Sequence, residues 1–265
     1  MMFNVNGGKG KFANVTVYSG DKYGTLPAPE RDGYTFDGWY TKATGGTKVN
    51  ANDVITSTKD FTLYAHWTEN LRSGKAVDIY SDVKSGDWFA GAVQFVYERS
   101  IMNGTSDNTF TPNGVLTRGQ FVTVLYNLEG KPKVTFKDNF DDVKESDYFA
   151  LPVIWASNNK ITSGVGTRSF GPNQNITREQ LATMLYNYAT VKKYSTRVDT
   201  NALNNFPDKN KVSAYAKTAM QWAVTNKVMG GKSTTAGTVL DPNGKATRAE
   251  CAQMIKNLFE NVIKK

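Results

Sequence analysis

The hydrophobic positions of this chain change period once, near residue 70. After Arg118 the apolar side chains fall at Phe121, Val124, Leu125 and Leu128. After Arg178 they fall at Leu181, Met184, Leu185 and Tyr188, and after Arg248 at Cys251, Met254, Ile255 and Leu258. Steps of three, one and three put four side chains on one face of a 3.6-residue helix, so the pattern predicts three copies of one amphipathic helix. Upstream the period is two: Phe61, Leu63, Ala65 and Trp67 alternate with Thr62, Tyr64, His66 and Thr68, the signature of a strand with one buried face. Val15 and Val17 form a shorter alternating run, and Gly7-Gly8, Pro27-Ala28-Pro29 and Gly45-Gly46 supply breaks. The expected division is a small β module over 1–69, a linker over 70–75, and three helical units over 76–130, 136–191 and 200–262.

The three units repeat more than a helix. Their Thr-Arg pairs at 117–118, 177–178 and 247–248 stand 60 and 70 residues apart, and each follows a Pro-Asn turn at Pro112, Pro172 or Pro242. An earlier helix opens near Trp88, Tyr148 or Tyr215 and ends at a turn carrying Gly104, Gly164 or Gly231. Each unit therefore reads as helix, loop, helix, with Pro152 inside the opening turn of the second unit's first helix. At the second helix, Thr caps the start and Gln120, Gln180 or Glu250 reaches back to the cap, a capping box. The arginine is then the first helical residue, outside the apolar stripe, and is expected to point outward beside free N–H groups, where a guanidinium suits a carboxylate or phosphate. A cation there costs about 0.3–1 kcal/mol against the helix dipole, so a partner is required. The bland alternative is a salt bridge to Asp82, Asp142 or Asp208.

Composition narrows the chemistry. The single cysteine, Cys251, excludes an internal disulfide and Cys-based zinc sites; it occupies the slot of Phe121 and Leu181 and is expected to pack as a core thiol. The single histidine, His66, lies on the polar side of its strand pattern and leaves no His cluster for a metal. No catalytic residue, metal or cofactor is expected. Gly230-Gly231-Lys232-Ser233 has the ending of a phosphate-binding loop, but Asn226 stands where its first glycine belongs. Asp138, Asp141 and Asp142 lack the Glu that closes a calcium loop. The net charge of +8 favours an anionic partner. Nucleic acid is a rival reading, although the lysines form no dense run beyond 131–137 and 192–193. No apolar run reaches the ~20 residues of a membrane span, no signal peptide is legible, and Met1-Met2-Phe3 reads as a start cut within a longer polypeptide.

Two resemblances sharpen these expectations. The run Gly33-Tyr34-Thr35-Phe36-Asp37-Gly38-Trp39-Tyr40, with Leu26-Pro27 before it and Gly45-Gly46-Thr47 and Leu63-Tyr64-Ala65-His66-Trp67 after it, resembles the Listeria-Bacteroides repeat, the B-repeat module of internalins. That implies a ubiquitin-like β-grasp spacer; the strand spacing of Tyr34, Phe36, Trp39 and Trp67 makes these aromatics core rather than a sugar platform. The threefold succession of Asp, Trp or Tyr, Gly-ended turn, Pro-Asn loop and Thr-Arg box over about 76–262 resembles the S-layer homology family. It implies an all-α pseudo-threefold trimer of repeats, α+β overall with the first module, whose grooves bind anionic secondary cell wall polysaccharide, often through a pyruvate ketal. By position, Arg118, Arg178 and Arg248 would meet the carboxylate. Asp82, Asp142 and Asp208 would hydrogen-bond sugar or order the groove, Gly104, Gly164 and Gly231 would give backbone access, and Trp88, Tyr148 and Tyr215 would stack on sugar. The departures are Gly119, where alanine is usual, Gln120 and Gln180, where Glu is common, and an enlarged 233–239 loop with Pro207 in the third copy. The implied product is a monomeric, extracellular anchoring module at the cell wall. The alternative is the end of a surface enzyme or adhesin whose activity lies upstream.

Overall fold

The computed structural model describes residues 1–235 and 237–264 and divides into two compact units, Met1–Leu71 and Arg72–Lys265. In the first, β1 (Met2–Asn4), β2 (Tyr34–Tyr40), β3 (Lys48–Val49) and β4 (Thr62–Glu69) form one sheet in the order β1-β4-β2-β3. β1 runs parallel to β4, while β2 is antiparallel to both β3 and β4. A register shift between Phe36 and Gly38 bends β2; Gly38 sits at φ +132°, where a Cβ would lie 2.7 Å from Lys48 Cε. The alternation in β4 is as its sequence dictates, with Leu63 and Ala65 fully buried beside Trp39. Phe3, Phe12, Phe36 and Trp67 pack around that centre, so these aromatics are core. Both indoles are held by backbone, Trp39 Nε1 donating to Pro27 O at 2.7 Å and Trp67 Nε1 to Val5 O at 3.1 Å. His66, on the interior strand β4, stacks on Tyr40 at 3.8 Å and contacts Lys42 O through Nε2.

The second unit carries a short α1 (Ala76–Ile79) and then three helix pairs: α2 (Ala90–Glu98) with α3 (Arg118–Leu128), α4 (Ala150–Asn158) with α5 (Arg178–Val191), and α6 (Lys217–Thr225) with α7 (Arg248–Leu258). Each second helix buries its apolar stripe against the first helix of the following pair: α3 on α4, α5 on α6, and α7 back on α2. The aromatic contacts repeat with the packing, Tyr126 on Trp155 at 5.7 Å and Tyr186 on Trp222 at 5.6 Å, while Phe259, just beyond α7, meets Phe95 at 5.2 Å. All three pairs share one continuous core. The chain is therefore α+β, as expected, but the second unit is not all-helical. The enlarged third-copy loop forms a hairpin, β5 (Lys232–Thr234) with β6 (Gly237–Val239). Residue 236, within that loop, lies outside the described residues.

Backbone hydrogen bonds close the circle at its centre. Leu116 N donates to Ala246 O, Ala246 N to Ile176 O, and Ile176 N to Leu116 O, each at 3.0 Å and each by a residue with no exposed surface. Three chain segments far apart in sequence thus satisfy one another where no water reaches. Pro152 sits in the first turn of α4, where its missing N–H would have had no helical partner.

Cys251 lies in α7 with no exposed surface, and burial pushes its thiol up to about 12. A bulky thiol reagent at pH 8 is expected to leave the native protein unmodified and to label it on the timescale of unfolding. Cys251→Ala should cost about 1–3 kcal/mol in urea unfolding, the range of a small core truncation; rapid labelling of native protein would contradict this packing.

Candidate binding grooves

The candidate site is built on three helix starts. At each, the capping box is complete: Thr117, Thr177 and Thr247 accept from the third helical N–H, and their own N–H groups donate to Gln120, Gln180 and Glu250 at 3.0, 3.1 and 3.1 Å. The first two helical N–H groups, expected to be free, are taken by the neighbouring unit. Arg118 N and Gly119 N donate to Gln174 O and Pro172 O, both at 2.9 Å. Arg178 N and Glu179 N donate to Gly244 O and Pro242 O at 2.9 and 3.0 Å, and Arg248 N and Ala249 N to Gly114 O and Pro112 O at 2.8 and 2.9 Å. Every Pro-Asn turn therefore sits against the preceding unit's helix start, the first unit's turn against the last unit's helix, and the four N–H groups a helix start normally leaves over are all used.

The arginines do not point outward. Arg118, Arg178 and Arg248 are 3, 2 and 9% exposed. Nε donates to Phe170 O at 3.1 Å, Leu240 O at 2.8 Å and Phe110 O at 2.7 Å respectively. Nη2 reaches the adjacent glycine-bearing turn: Thr162 Oγ1 at 3.4 Å, Gly230 O at 2.9 Å and Asn103 O at 2.6 Å. Arg118 and Arg248 also lie over the Phe170 and Phe110 rings, at 5.0 and 4.6 Å. The outward expectation fails because the helix start abuts another unit's loop rather than solvent, and that loop aims its carbonyls at it. Those carbonyls also offset the dipole cost of a cation at this position. Burial lowers all three guanidinium pKa values from their usual range. Only Arg178 has a carboxylate close by, Glu250 Oε1 at 3.5 Å, among the described residues. Among those residues, Nη1 of Arg118 and of Arg248 has no hydrogen-bond partner.

The alternative arginine–aspartate salt bridges do not form among the described residues, and each aspartate instead bonds backbone N–H groups. Asp82 accepts from Phe110 N and Thr111 N at 2.8 and 2.7 Å, Asp142 from Phe170 N and Gly171 N at 2.8 Å each, and Asp208 from Leu240 N and Asp241 N at 2.8 Å each. Each carboxylate pins the loop that carries the arginine's acceptor. The residue after the aromatic or leucine is left-handed in all three loops, Thr111 at φ +57°, Gly171 at +69° and Asp241 at +51°, a conformation the two carboxylate bonds hold in place. Gly104, Gly164 and Gly231 sit at the adjoining turns and are required by close approach: an added Cβ would lie 2.4 Å from Ser106 O, 2.5 Å from Ser169 O and 2.3 Å from Thr238 Cγ2.

Trp88, Tyr148 and Tyr215 are the exposed members, at 65, 65 and 59%. Each stands just before a first helix, and Tyr148 and Tyr215 lie beside the preceding unit's helix start. Tyr148 interacts with Thr117 and lies in the field of Arg248; the Tyr215 hydroxyl donates to Glu179 Oε1 at 3.0 Å and lies in the field of Arg118. One groove thus draws its aromatic from one unit, its helix start from a second and its arginine from the third. In the Tyr148 and Tyr215 grooves an exposed ring thus lies in the field of a buried guanidinium, with Asp and Gly shaping the loops. Sequence reasoning missed Glu179, which is 3% exposed and accepts from Ser213 N at 3.0 Å and Ser213 Oγ at 2.7 Å. The signal available was that Ala214 stands where the other units have Asp87 and Asp147. It also missed Lys232, which bridges Asp241 at 2.9 Å and Glu250 at 3.0 Å. The Asp138–Asp141 pair is occupied by Arg168.

Known families and proteins match in the same two blocks. The Listeria-Bacteroides repeat domain model matches residues 1–66, and the S-layer homology domain model matches residues 79–122, 139–182 and 205–252. An endoglucanase of Bacillus sp. (strain KSM-635) is 30% identical over 187 residues, 69% of this chain and 19% of that protein. The surface-layer 125 kDa protein of Lysinibacillus sphaericus is 29% identical over 174 residues, 64% of this chain and 14% of that protein. Internalin H of Listeria monocytogenes serovar 1/2a (strain ATCC BAA-679 / EGD-e) is 43% identical over 61 residues, 23% of this chain and 11% of that protein. The chain spans less than a fifth of the length of each of these three relatives.

Two expectations follow from the geometry. Arg248→Ala leaves the Phe110 and Asn103 carbonyls without their charged donor and should destabilise the second unit by about 2–3 kcal/mol. Calorimetry should then show its melting temperature lowered by roughly 4–12 °C; an unchanged melting temperature would remove the arginine from the structural frame. For Asp142, burial raises the carboxyl pKa, but the donors Phe170 N, Gly171 N and Ser169 Oγ outweigh it and hold it below the usual carboxylate range. A depressed native pKa contributes stability that is present above the unfolded value and is lost as pH falls through the native one. Asp142→Asn should therefore be less stable than the parent at pH 7, and the gap should close as acid unfolding scans descend below about pH 4.

Proposed function

The chain belongs to the S-layer homology family and is a cell-surface anchoring module, and from that premise we propose that its three grooves, arranged about a pseudo-threefold axis, hold an anionic secondary cell wall polysaccharide through its pyruvate ketals. The observation that carries the reading is that two exposed aromatic rings, Tyr148 and Tyr215, lie in the field of the buried guanidinium groups of Arg248 and Arg118. An aromatic face matches the apolar face of a pyranose. In two grooves the arginine keeps a terminal nitrogen uncommitted after its carbonyl bonds, and a guanidinium edge held in a desolvated pocket is a charge-assisted donor to a carboxylate. Trp88, Tyr148 and Tyr215 then stack on sugar and Arg118, Arg178 and Arg248 receive the carboxylate. Asp82, Asp142 and Asp208, with Gly104, Gly164 and Gly231, fix the loops on which both depend. The module is extracellular, acts as a monomer and carries out no catalysis. Residues 1–69 form a β-grasp spacer, 70–75 a linker, and 76–130, 136–191 and 200–262 the three repeats; an enzymatic or adhesive activity of the longer protein lies outside this sequence. Among the described residues no helix is long and apolar enough to cross a membrane.

Sedimentation with purified cell-wall sacculi tests the reading. The chain should pellet with intact sacculi, remain in solution after the secondary polysaccharide has been chemically removed, and be released by soluble pyruvylated wall fragments. Phosphate-driven binding to random DNA would instead weaken steeply with salt and ignore those fragments. Unchanged pelleting on stripped sacculi would sink the polysaccharide assignment.

A further inference from the structure

The three grooves share a plan but differ at the second helical residue: Gly119 in the first unit, Glu179 in the second and Ala249 in the third. The partners across the groove vary in step. Gly119 faces Phe149, whose Cδ1 would lie 3.1 Å from an added Cβ. In the third unit the position of Phe149 is Ala216 and that of Asp147 is Ala214. In the first two units the acid ties its own turn, Lys84 N donating to Asp87 at 2.7 Å and Lys144 N to Asp147 at 2.8 Å. In the third unit Glu179 supplies the acceptor from across the groove, taking Ser213 N, Ser213 Oγ and the Tyr215 hydroxyl. A small residue where the ring stood, an absent acid and a carboxylate arriving from the neighbour are one coordinated exchange. It leaves a buried negative charge bonded to the aromatic that the groove would present to sugar. The Tyr215 hydroxyl is pushed up to about 12, by burial first and then by Glu179.

The third helical residue differs as well. Arg118 and Arg248 belong with Gln180 and Gln120, whereas Arg178 has Glu250 at 3.5 Å, and Glu250 also holds Lys232. By the cyclic register, Arg178 and Ala249 belong to the groove of Trp88. Its guanidinium already has a carboxylate, so an incoming one must displace it. The groove of Tyr148 has neither device: Gly119 adds no side chain, Gln120 no charge, and Arg248 keeps Nη1 uncommitted among the described residues.

We propose that the groove formed by Tyr148, Gly119 and Arg248 is the single strong site on this chain for a carboxylate-bearing sugar, Glu179 closing the Tyr215 groove to anions and Glu250 occupying the arginine of the Trp88 groove. The inference rests on the anchoring reading above and sets how many grooves carry it. The probe is the methyl glycoside of a pyruvate-ketal-bearing amino sugar, titrated calorimetrically into the full chain. The parent should bind one equivalent. Glu179→Ala should bind two, because the second groove then has an open guanidinium and no opposing charge. The double variant Gly119→Glu with Phe149→Ala, which transplants the Glu179/Ala216 arrangement, should weaken binding at the first groove at least tenfold. Thermal unfolding of each variant identifies any loss of fold, and if Glu179→Ala does not fold, the double variant decides alone. Two or three equivalents on the parent would overturn the inference and leave the anchoring reading intact, as would a folded Glu179→Ala that still binds one. No binding by the parent, together with no retention on sacculi, would remove the anchoring reading and the inference with it.

Discussion

Everything in the second unit depends on how a helix start disposes of its unpaired N–H groups. A helix that begins inside a protein must satisfy four donors without water. Here the capping box takes two, and the neighbouring unit's Pro-Asn turn takes the other two with its carbonyls. Because each turn that gives carbonyls to one helix also leads into the next helix, the arrangement is complete only when the third unit returns to the first. The Leu116–Ala246–Ile176 circle of hydrogen bonds is that closure. A two-unit fragment would leave one helix start and one turn unpaired in an apolar setting, at about 1–3 kcal/mol for each orphaned group.

The arginine follows from the same constraint. A turn that points several carbonyls at a helix start concentrates negative potential where the helix dipole is positive, and a guanidinium at the first helical position neutralises the excess while bridging two loops of the adjacent unit. Nε and Nη2 hold the units together, while among the described residues Nη1 of Arg118 and of Arg248 has no hydrogen-bond partner. A structural arginine and the proposed ligand-binding one therefore need not exclude each other, since the planar fork carries five donors in fixed directions.

How much of this was legible depended on range. The apolar stripes, the capping boxes and the repeated turns are local, and each has its structural counterpart at the expected residues. The alternation in β4 was read on the same basis. The direction of the arginines was not, because their acceptors lie 52, 62 and 138 residues away and belong to other copies of the motif. The aspartates were placed in the groove, either bonding sugar or ordering it, and the sequence could not name their loop partners, because a carboxylate that pins a left-handed turn residue about 29 positions downstream has the same sequence surroundings as one that meets a cation. The third-copy insertion was visible as an insertion, but its folding into a hairpin that brings Lys232 to Glu250 required the packed neighbours.

Triplication explains why the grooves could diverge without loss of the fold. The frame uses the arginine's Nε and Nη2, the capping threonine and the loop carbonyls, all of which are retained in every copy. It makes no demand on the second helical side chain beyond fitting the residue opposite. That position is therefore a place in the groove where volume and charge can change if the facing residue changes too, and Glu179 with Ala214 and Ala216 satisfies the condition: three hydrogen bonds replace a ring contact and a turn acid. A substitution at Arg178 would instead break bonds between units, and one at Asp208 the bonds that hold its own unit's loop. On the proposed reading, the packing thus directs variation among the grooves to the second helical residue, which is Gly119, Glu179 or Ala249 in copies one, two and three.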